Sequence, residues 1–296
     1  MPIIPPRLLQ PAVRNLANCD LLQGRLWKYV VLVRRHYAKS EPPLELETTI
    51  EGDIRIRTSL SDHIEAQLFW QGYQEADQGV LEMIRKKLPS DGVFIDIGAN
   101  IGSFTLVAAK IAQHGQVHAF EPSAHHFSRL SKNVAMNDFG NVSLNRKGLS
   151  DQRGSATLFL PSMKGEMNNS GAASLFSCSS EEINQVREDI ELVRLDDYVS
   201  EKGIERIDLV KIDIEGAEFD ALKGSWSVLS RFRPIVLMEL DLDNLKRAGC
   251  APEEILSFWE KLNYQVFRIE NSGESIPIRN IGDLKLHQNL ICRPMD

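Results

Sequence analysis

Cysteine is scarce in this chain. The 296 residues hold four, Cys19, Cys178, Cys250 and Cys292, and no two form a CxxC pair. That excludes a disulfide framework and a structural zinc site, and points to a reduced, cytoplasmic compartment. No stretch approaches the roughly 18 uninterrupted apolar residues of a membrane span. Pro2, Pro5, Pro6 and Pro11 interrupt the N-terminus, so the charged-then-apolar pattern of a secretory signal is missing. Internal repeats and low-complexity tracts are missing as well, which excludes solenoids and fibrous chains. What is present is an ordinary globular composition, 43% hydrophobic and 25% charged, enough for one large domain or two small ones.

Charge is unevenly spread. Residues 1–40 carry Arg7, Arg14, Arg25, Lys28, Arg34, Arg35 and Lys39 against the single acid Asp20. The net −7 of the whole therefore divides into +6 for this head and −13 for the rest. The acidic body argues against general nucleic-acid binding. The basic head is read in two ways: a helical arm with solvated charges, or a contact with a partner or the inner face of a membrane.

Along the chain, residues 1–40 read as helical after the prolines, and Glu41-Pro42-Pro43 marks a boundary. Residues 44–60 alternate around Glu51-Gly52-Asp53 as a hairpin, and residues 63–88 read as one or two helices. From Val93 onward, short apolar strands alternate with helices. Strands are expected at 93–96, 117–120, 142–144, 209–212, 234–240, 264–269 and 286–291. That alternation predicts an α/β fold, a mostly parallel sheet with helices on both faces. The last two strands, with no long helix between them, are expected as an antiparallel edge. Residues 150–190 read as a hairpin followed by a polar insertion, within which Asn168–Leu175 could cover an acceptor. The expected division is 1–62, a helical arm with a short hairpin, and 63–296, the α/β domain.

Three segments carry chemistry. The first is Asp96-Ile97-Gly98-Ala99-Asn100-Ile101-Gly102, between a strand and a helix. Glycines there allow a tight turn and close approach to a ligand, and the following helix start favours a negative group. It is not the GxGxxG of dinucleotide enzymes. An acid at Asp96 would repel a pyrophosphate but suit an amino-acid moiety. The second is Glu121-Pro122, where an acid at the end of the second strand can take both hydroxyls of a ribose. The third is Lys211-Ile212-Asp213-Ile214-Glu215-Gly216-Ala217-Glu218, three carboxylates at a strand end. They are costly there unless a ligand, a metal or Lys211 offsets them. For Glu215 and Glu218 the plain alternative is compensation of a helix dipole.

In this order, with a helix ending Lys132–Asp138 and Leu195-Asp196-Asp197-Tyr198 before the third segment, the chain resembles the FkbM family of S-adenosylmethionine-dependent methyltransferases over residues of about 65–292. The Asp213–Glu218 block is specific to that family, and Phe69-Trp70-x-Gly72-Tyr73-x-Glu75 matches the segment its members place before the first sheet strand. The resemblance implies a class I, Rossmann-like fold with a seven-stranded sheet. It also implies O-methylation of a sugar, glycan or other small molecule. Asp96, Gly98, Asn100 and Gly102 would hold the methionine part of the cofactor, Glu121 the ribose, and Leu149 with its backbone the adenine. Tyr73 and Glu75 would close over the amino-acid end.

Methyl transfer to a hydroxyl needs the oxygen in line with the S–CH₃ bond and a route for its proton. Asp213 and His287 are candidate bases, with Glu218 next in line; for His287 the alternative is a satisfied structural histidine. Alternatively Asp213, Glu239 and Asp241 would supply oxygen ligands to Mg²⁺. The competing readings are an enzyme acting on nitrogen or a carboxylate, and a non-catalytic binding protein of the same fold.

Overall fold

A computed structural model describes residues 5–17, 20–160, 174–175 and 186–295. Cys19, Cys178 and most of Asn168–Leu175 lie outside them. The chain forms two compact units, residues 1–77 with 161–171, and residues 78–160 with 172–296. Residues 63–77, grouped by sequence with the α/β domain, thus belong to the first unit.

The first unit contains helices α1 (Pro6–Ala17) and α2 (Asp20–Ala38), strands β1 (Glu45–Ile50) and β2 (Ile54–Ser59), and helix α3 (His63–Gln71). Pro6 suits the first turn of α1, where no N–H is needed. The hairpin turns at Glu51 and Gly52, both with positive φ, as the turn residues require. Asp62 caps α3 by accepting from the Glu65 N–H at 3.0 Å, and Gly72 ends it in the left-handed region. Val13, Val30, Tyr37, Leu60, Phe69 and Trp70 form its core. Arg14 is turned inward, donating to the carbonyls of Phe69, Leu68 and Thr49 and to the Thr48 hydroxyl. It is a structural cation, not part of a basic surface.

The second unit runs α4 (Gln78–Lys87), β3 (Val93–Ile97), α5 (Ser103–Ile111), β4 (Gln116–Phe120), α6 (Ala124–Ala135) and β5 (Val142–Asn145). A small sheet follows: β6 (Gly148–Leu149), β7 (Gly154–Leu160) and β8 (Val186–Val193). Then come α7 (Leu195–Lys202), β9 (Leu209–Ile212), α8 (Glu218–Lys223), α9 (Trp226–Phe232), β10 (Ile235–Asp241), α10 (Leu242–Arg247), α11 (Pro252–Lys261), β11 (Tyr264–Ile269), β12 (Ser275–Pro277) and β13 (His287–Pro294).

The main sheet has the order β12-β11-β13-β10-β9-β3-β4-β5. The seven expected strands are all in it. The expected count of seven becomes eight because Gly273, with φ +76°, turns the chain back and pairs β12 antiparallel with β11. Strand β13 is antiparallel to both β10 and β11 and lies between them, so the antiparallel pairing is interior rather than confined to the edge. The polar insertion separates the two strands of a hairpin, β7 and β8, rather than following it.

All five residues of β3 are buried, as a parallel strand covered on both faces requires. Strand order reverses at β3: its successor β4 lies on one side and β9 on the other. That switch point opens a crevice beyond the strands' carboxyl ends, where open α/β sheets place ligands. Among the described residues, no helix is long and apolar enough to cross a membrane.

Candidate active site

The turn from β3 to α5 is built by close packing. Gly98 has φ +81°, and a Cβ there would stand 1.9 Å from the Asp213 carbonyl oxygen. The Gly98 and Ala99 N–H groups donate to the Phe120 carbonyl, and the Asp213 N–H donates to that of Ile97. The Gly98 Cα therefore faces backbone at the end of β9, not only ligand space. Gly102, with φ +99°, starts α5, and a Cβ there would press on Leu130 at 2.6 Å. Asn100 is left-handed too, with φ 50°, and its N–H donates to Glu121 Oε2 at 2.9 Å.

Asp96 is fully buried. Its Oδ2 accepts from the Thr105 hydroxyl at 2.5 Å, while Oδ1 has no hydrogen-bond partner. The Lys211 ammonium, directly across the β3–β9 register, lies 4.0 Å from Oδ1. Burial raises the Asp96 pKa and Lys211 partly offsets this. Glu121, at the end of β4, is buried as well. Its two oxygens accept from the N–H groups of Asn100 and Ser123, each at 2.9 Å. Burial pushes its pKa up to about 7 against those two bonds.

The second half of the site lies at the ends of β9, β10 and the start of β13. Lys211, 5% exposed, donates to Asp213 Oδ2 at 3.0 Å, with its ammonium 4.4 Å above the Phe104 ring. Burial would raise Asp213, but the Lys211 charge and hydrogen bond hold it below the usual carboxylate range. Burial and the neighbouring Asp213 charge push Glu239 up to about 11. The antiparallel register sets His287 opposite Asp241 and beside Glu239. Its Nε2 is 3.4 Å from Glu239 Oε1 and its Nδ1 3.4 Å from Asp241 Oδ2.

The structure divides the remaining acids. Glu218 turns back on its own loop, accepting from the N–H groups of Ile214 and Gly216 at 3.0–3.2 Å. It is 3% exposed, and burial lifts it to about 7. Glu215, left-handed at φ 53°, accepts from the Asn244 amide at 2.6 Å and is also lifted to about 7, by burial and then by Asp213. Asp241 is the N-cap of α10, accepting from the N–H groups of Asp243 and Asn244. The expected magnesium set Asp213, Glu239 and Asp241 is thereby not assembled. Lys211 already supplies the cation at Asp213, Asp241 serves a helix, and no group of three metal-binding side chains is gathered among the described residues.

The sequence profile of the methyltransferase FkbM domain matches residues 96–266, from the buried Asp96 to β11. The chain belongs to this family. The FkbM match thus covers Asp96, Glu121, Asp213 and Glu239 together. Methyltransferase sdnD of Sordaria araneosa is 35% identical over 159 residues, 46% of this chain and 61% of that protein. The 2-O-methyltransferase NoeI of Sinorhizobium fredii is 31% identical over 150 residues, 48% of this chain and 61% of its own length. The chain therefore spans about three fifths of these relatives. A solved FkbM methyltransferase from Methylobacillus flagellatus aligns over 96% of this chain and 59% of that one, with 15% identity and a TM-score of 0.43.

Of the other expected residues, Leu149 lies inside the matched domain and Glu75 before it. Leu149 is 2% exposed and packs into the main core. Glu75 sits in the first unit, on an exposed turn, where its N–H donates to Gln67 Oε1. Thr105 and Asn244 are not singled out by the sequence, and Ser174 only as part of the polar stretch Asn168–Leu175. Thr105 and Asn244 bind carboxyls of the site and carry no motif of their own. Ser174, whose hydroxyl donates to the Glu215 carbonyl at 2.7 Å, sits in a polar segment with no periodicity.

The raised carboxyls have a stability consequence. Glu121, Glu215 and Glu218 sit near 7 in the fold, above the 4.5 of a free glutamate, so the fold holds protons that the unfolded chain releases. Their contribution is full below about pH 4.5 and is lost as pH rises through about 7. The thermal midpoint is expected to fall between about pH 5 and about pH 8. A midpoint that rises over that interval would show these groups ionising without cost.

Proposed function

We propose that this chain transfers a methyl group from S-adenosyl-L-methionine to a hydroxyl on a sugar, glycan or secondary metabolite. The observation that carries the reading is the pairing, at one switch point, of Glu121 on one side of the glycine turn with the Lys211–Asp213 ion pair on the other. Its chemistry fits the cofactor. The buried Asp96 Oδ1, which lacks a hydrogen-bond partner, is an acceptor an amino-acid ammonium would satisfy. Glu121 is held by two backbone N–H groups and keeps further lone pairs for the hydroxyls of a ribose. When bound, S-adenosylmethionine supplies an electrophilic methyl group on sulfur.

The chain's own residues do the rest. Lys211 keeps Asp213 ionised and fixed in direction. Asp213 accepts the hydrogen bond of the acceptor hydroxyl and turns its oxygen toward the methyl. As the carbon–oxygen bond forms, that proton becomes strongly acidic, so even a carboxylate held low can take it. His287, one-half exposed beside Glu239 and Asp241, offers the proton a way to water. The NoeI name supports transfer to oxygen. The acidic rim of Glu215 and Asp241 favours neutral, hydroxyl-rich acceptors over anionic ones.

The test is calorimetry with S-adenosylhomocysteine, then a mass-spectrometric search of cell extract for products heavier by one methylene. Absence of binding would favour a non-catalytic protein, and a product methylated on nitrogen or a carboxylate would replace the hydroxyl reading. Within this test, Glu121→Ala should remove hydrogen bonds worth about 1.5–3 kcal/mol each. Affinity should fall at least about tenfold. Wild-type affinity should also weaken below about pH 7, because ribose hydroxyls donate best to the ionised carboxylate. An unchanged dissociation constant in folded Glu121→Ala would remove the ribose assignment.

A further inference from the structure

Helix α2 presents one unusual face. Lys28, Tyr29, Leu32, Arg35 and His36 are all exposed, and Lys39 continues the line just past the helix end. At about 100° per residue these positions share an arc of roughly 120°. Tyr29 is 53% exposed and Leu32 60%, and the Lys28 ammonium lies 5.1 Å above the Tyr29 ring. Between Lys28 and Lys39 there is no acidic residue. The opposite face is spoken for, since Val30 and Tyr37 pack with Phe69 and Trp70 in the core of the first unit. The two other described cations of this region that face inward, Arg14 and the half-buried Arg34 near Glu75, take no part.

The geometry points to an anionic lipid surface as the occupant of this face, with α2 lying parallel to the bilayer. We infer this from two features acting together. The cations are spaced along the helix at headgroup depth, and an aromatic and a leucine stand between them where a bilayer offers apolar depth. Lysine and arginine stems can lie along that boundary with their charges in the headgroups. A nucleic-acid backbone would match the charges but leave Leu32 in water. The inference is independent of the methyl-transfer reading, because it rests only on the first unit.

The experiment is co-sedimentation of the full chain with vesicles of phosphatidylcholine alone or with about a third phosphatidylserine. Binding is expected only with phosphatidylserine, and less at high salt. Each cation near such a surface is worth about fivefold in partitioning, so Lys28→Gln/Arg35→Gln should bind about thirtyfold more weakly. Leu32→Ser, with every charge kept, should lose about tenfold. Circular dichroism melting shows that each variant stays folded. Equal binding to both vesicles, no binding by the wild type, or full binding by the charge variant overturns the inference. So does tighter binding to a short DNA duplex than to the anionic vesicles.

Discussion

Gly98→Ala should cost the second unit much of its stability. The position has φ +81°, and the added methyl would stand 1.9 Å from the Asp213 carbonyl oxygen, a backbone atom that no rotamer change can move. A left-handed alanine alone costs about 1–3 kcal/mol, and relieving the overlap by parting β3 from β9 costs about 1–3 more. The sum is a large share of the roughly 5–15 kcal/mol that holds a domain together. The expected result is a thermal midpoint lower by about 10 °C or more, or no soluble protein. The same variant separates two uses of the glycine. If Gly98 served only close approach of a ligand, the midpoint would stay and S-adenosylhomocysteine affinity alone would drop.

Asp213→Asn should leave S-adenosylhomocysteine affinity close to that of the wild type and lower turnover of the identified acceptor by about 10²-fold or more. The amide keeps the shape but cannot take a proton, and it leaves the Lys211 ammonium, 5% exposed, without its 3.0 Å carboxylate partner. Because Lys211 holds Asp213 below the usual carboxylate range, its ionisation is complete at neutral pH. The wild-type rate should therefore not gain from Asp213 above pH 7, and should fall only in acid. EDTA is expected to leave the rate unchanged. Loss of activity in EDTA, restored by Mg²⁺, would reassign Asp213 as a metal ligand. Wild-type turnover in the variant would remove Asp213 from the mechanism and leave His287 as the base to test.

How far residues announced their places depended on how local their reasons were. Strands β3, β4 and β9 were legible because parallel strands buried on both faces are continuous apolar runs, Val93–Ile97 among them. Helices α7, α9 and α10 are not expected from the sequence; α9 and α10, with seven and six residues, complete fewer than two turns, too few for a helical period to show. Strand β12 was missed because three residues between turns carry no alternation.

The sequence alone determined the αβ alternation, the glycine turn after the first central strand, Glu121 at the end of the next, and the family. Each of these follows from a short contiguous pattern. Only the tertiary structure decided what the carboxylates do. Within Asp213–Glu218, positive φ at Glu215 and Gly216 bends the loop so that Glu218 caps its own backbone while Asp213 meets Lys211. Glu239, Asp241 and His287 come together through an antiparallel register between segments far apart in the chain. A one-residue slip of that register would turn His287 to the face opposite Glu239 and Asp241, and no local pattern in the sequence encodes it.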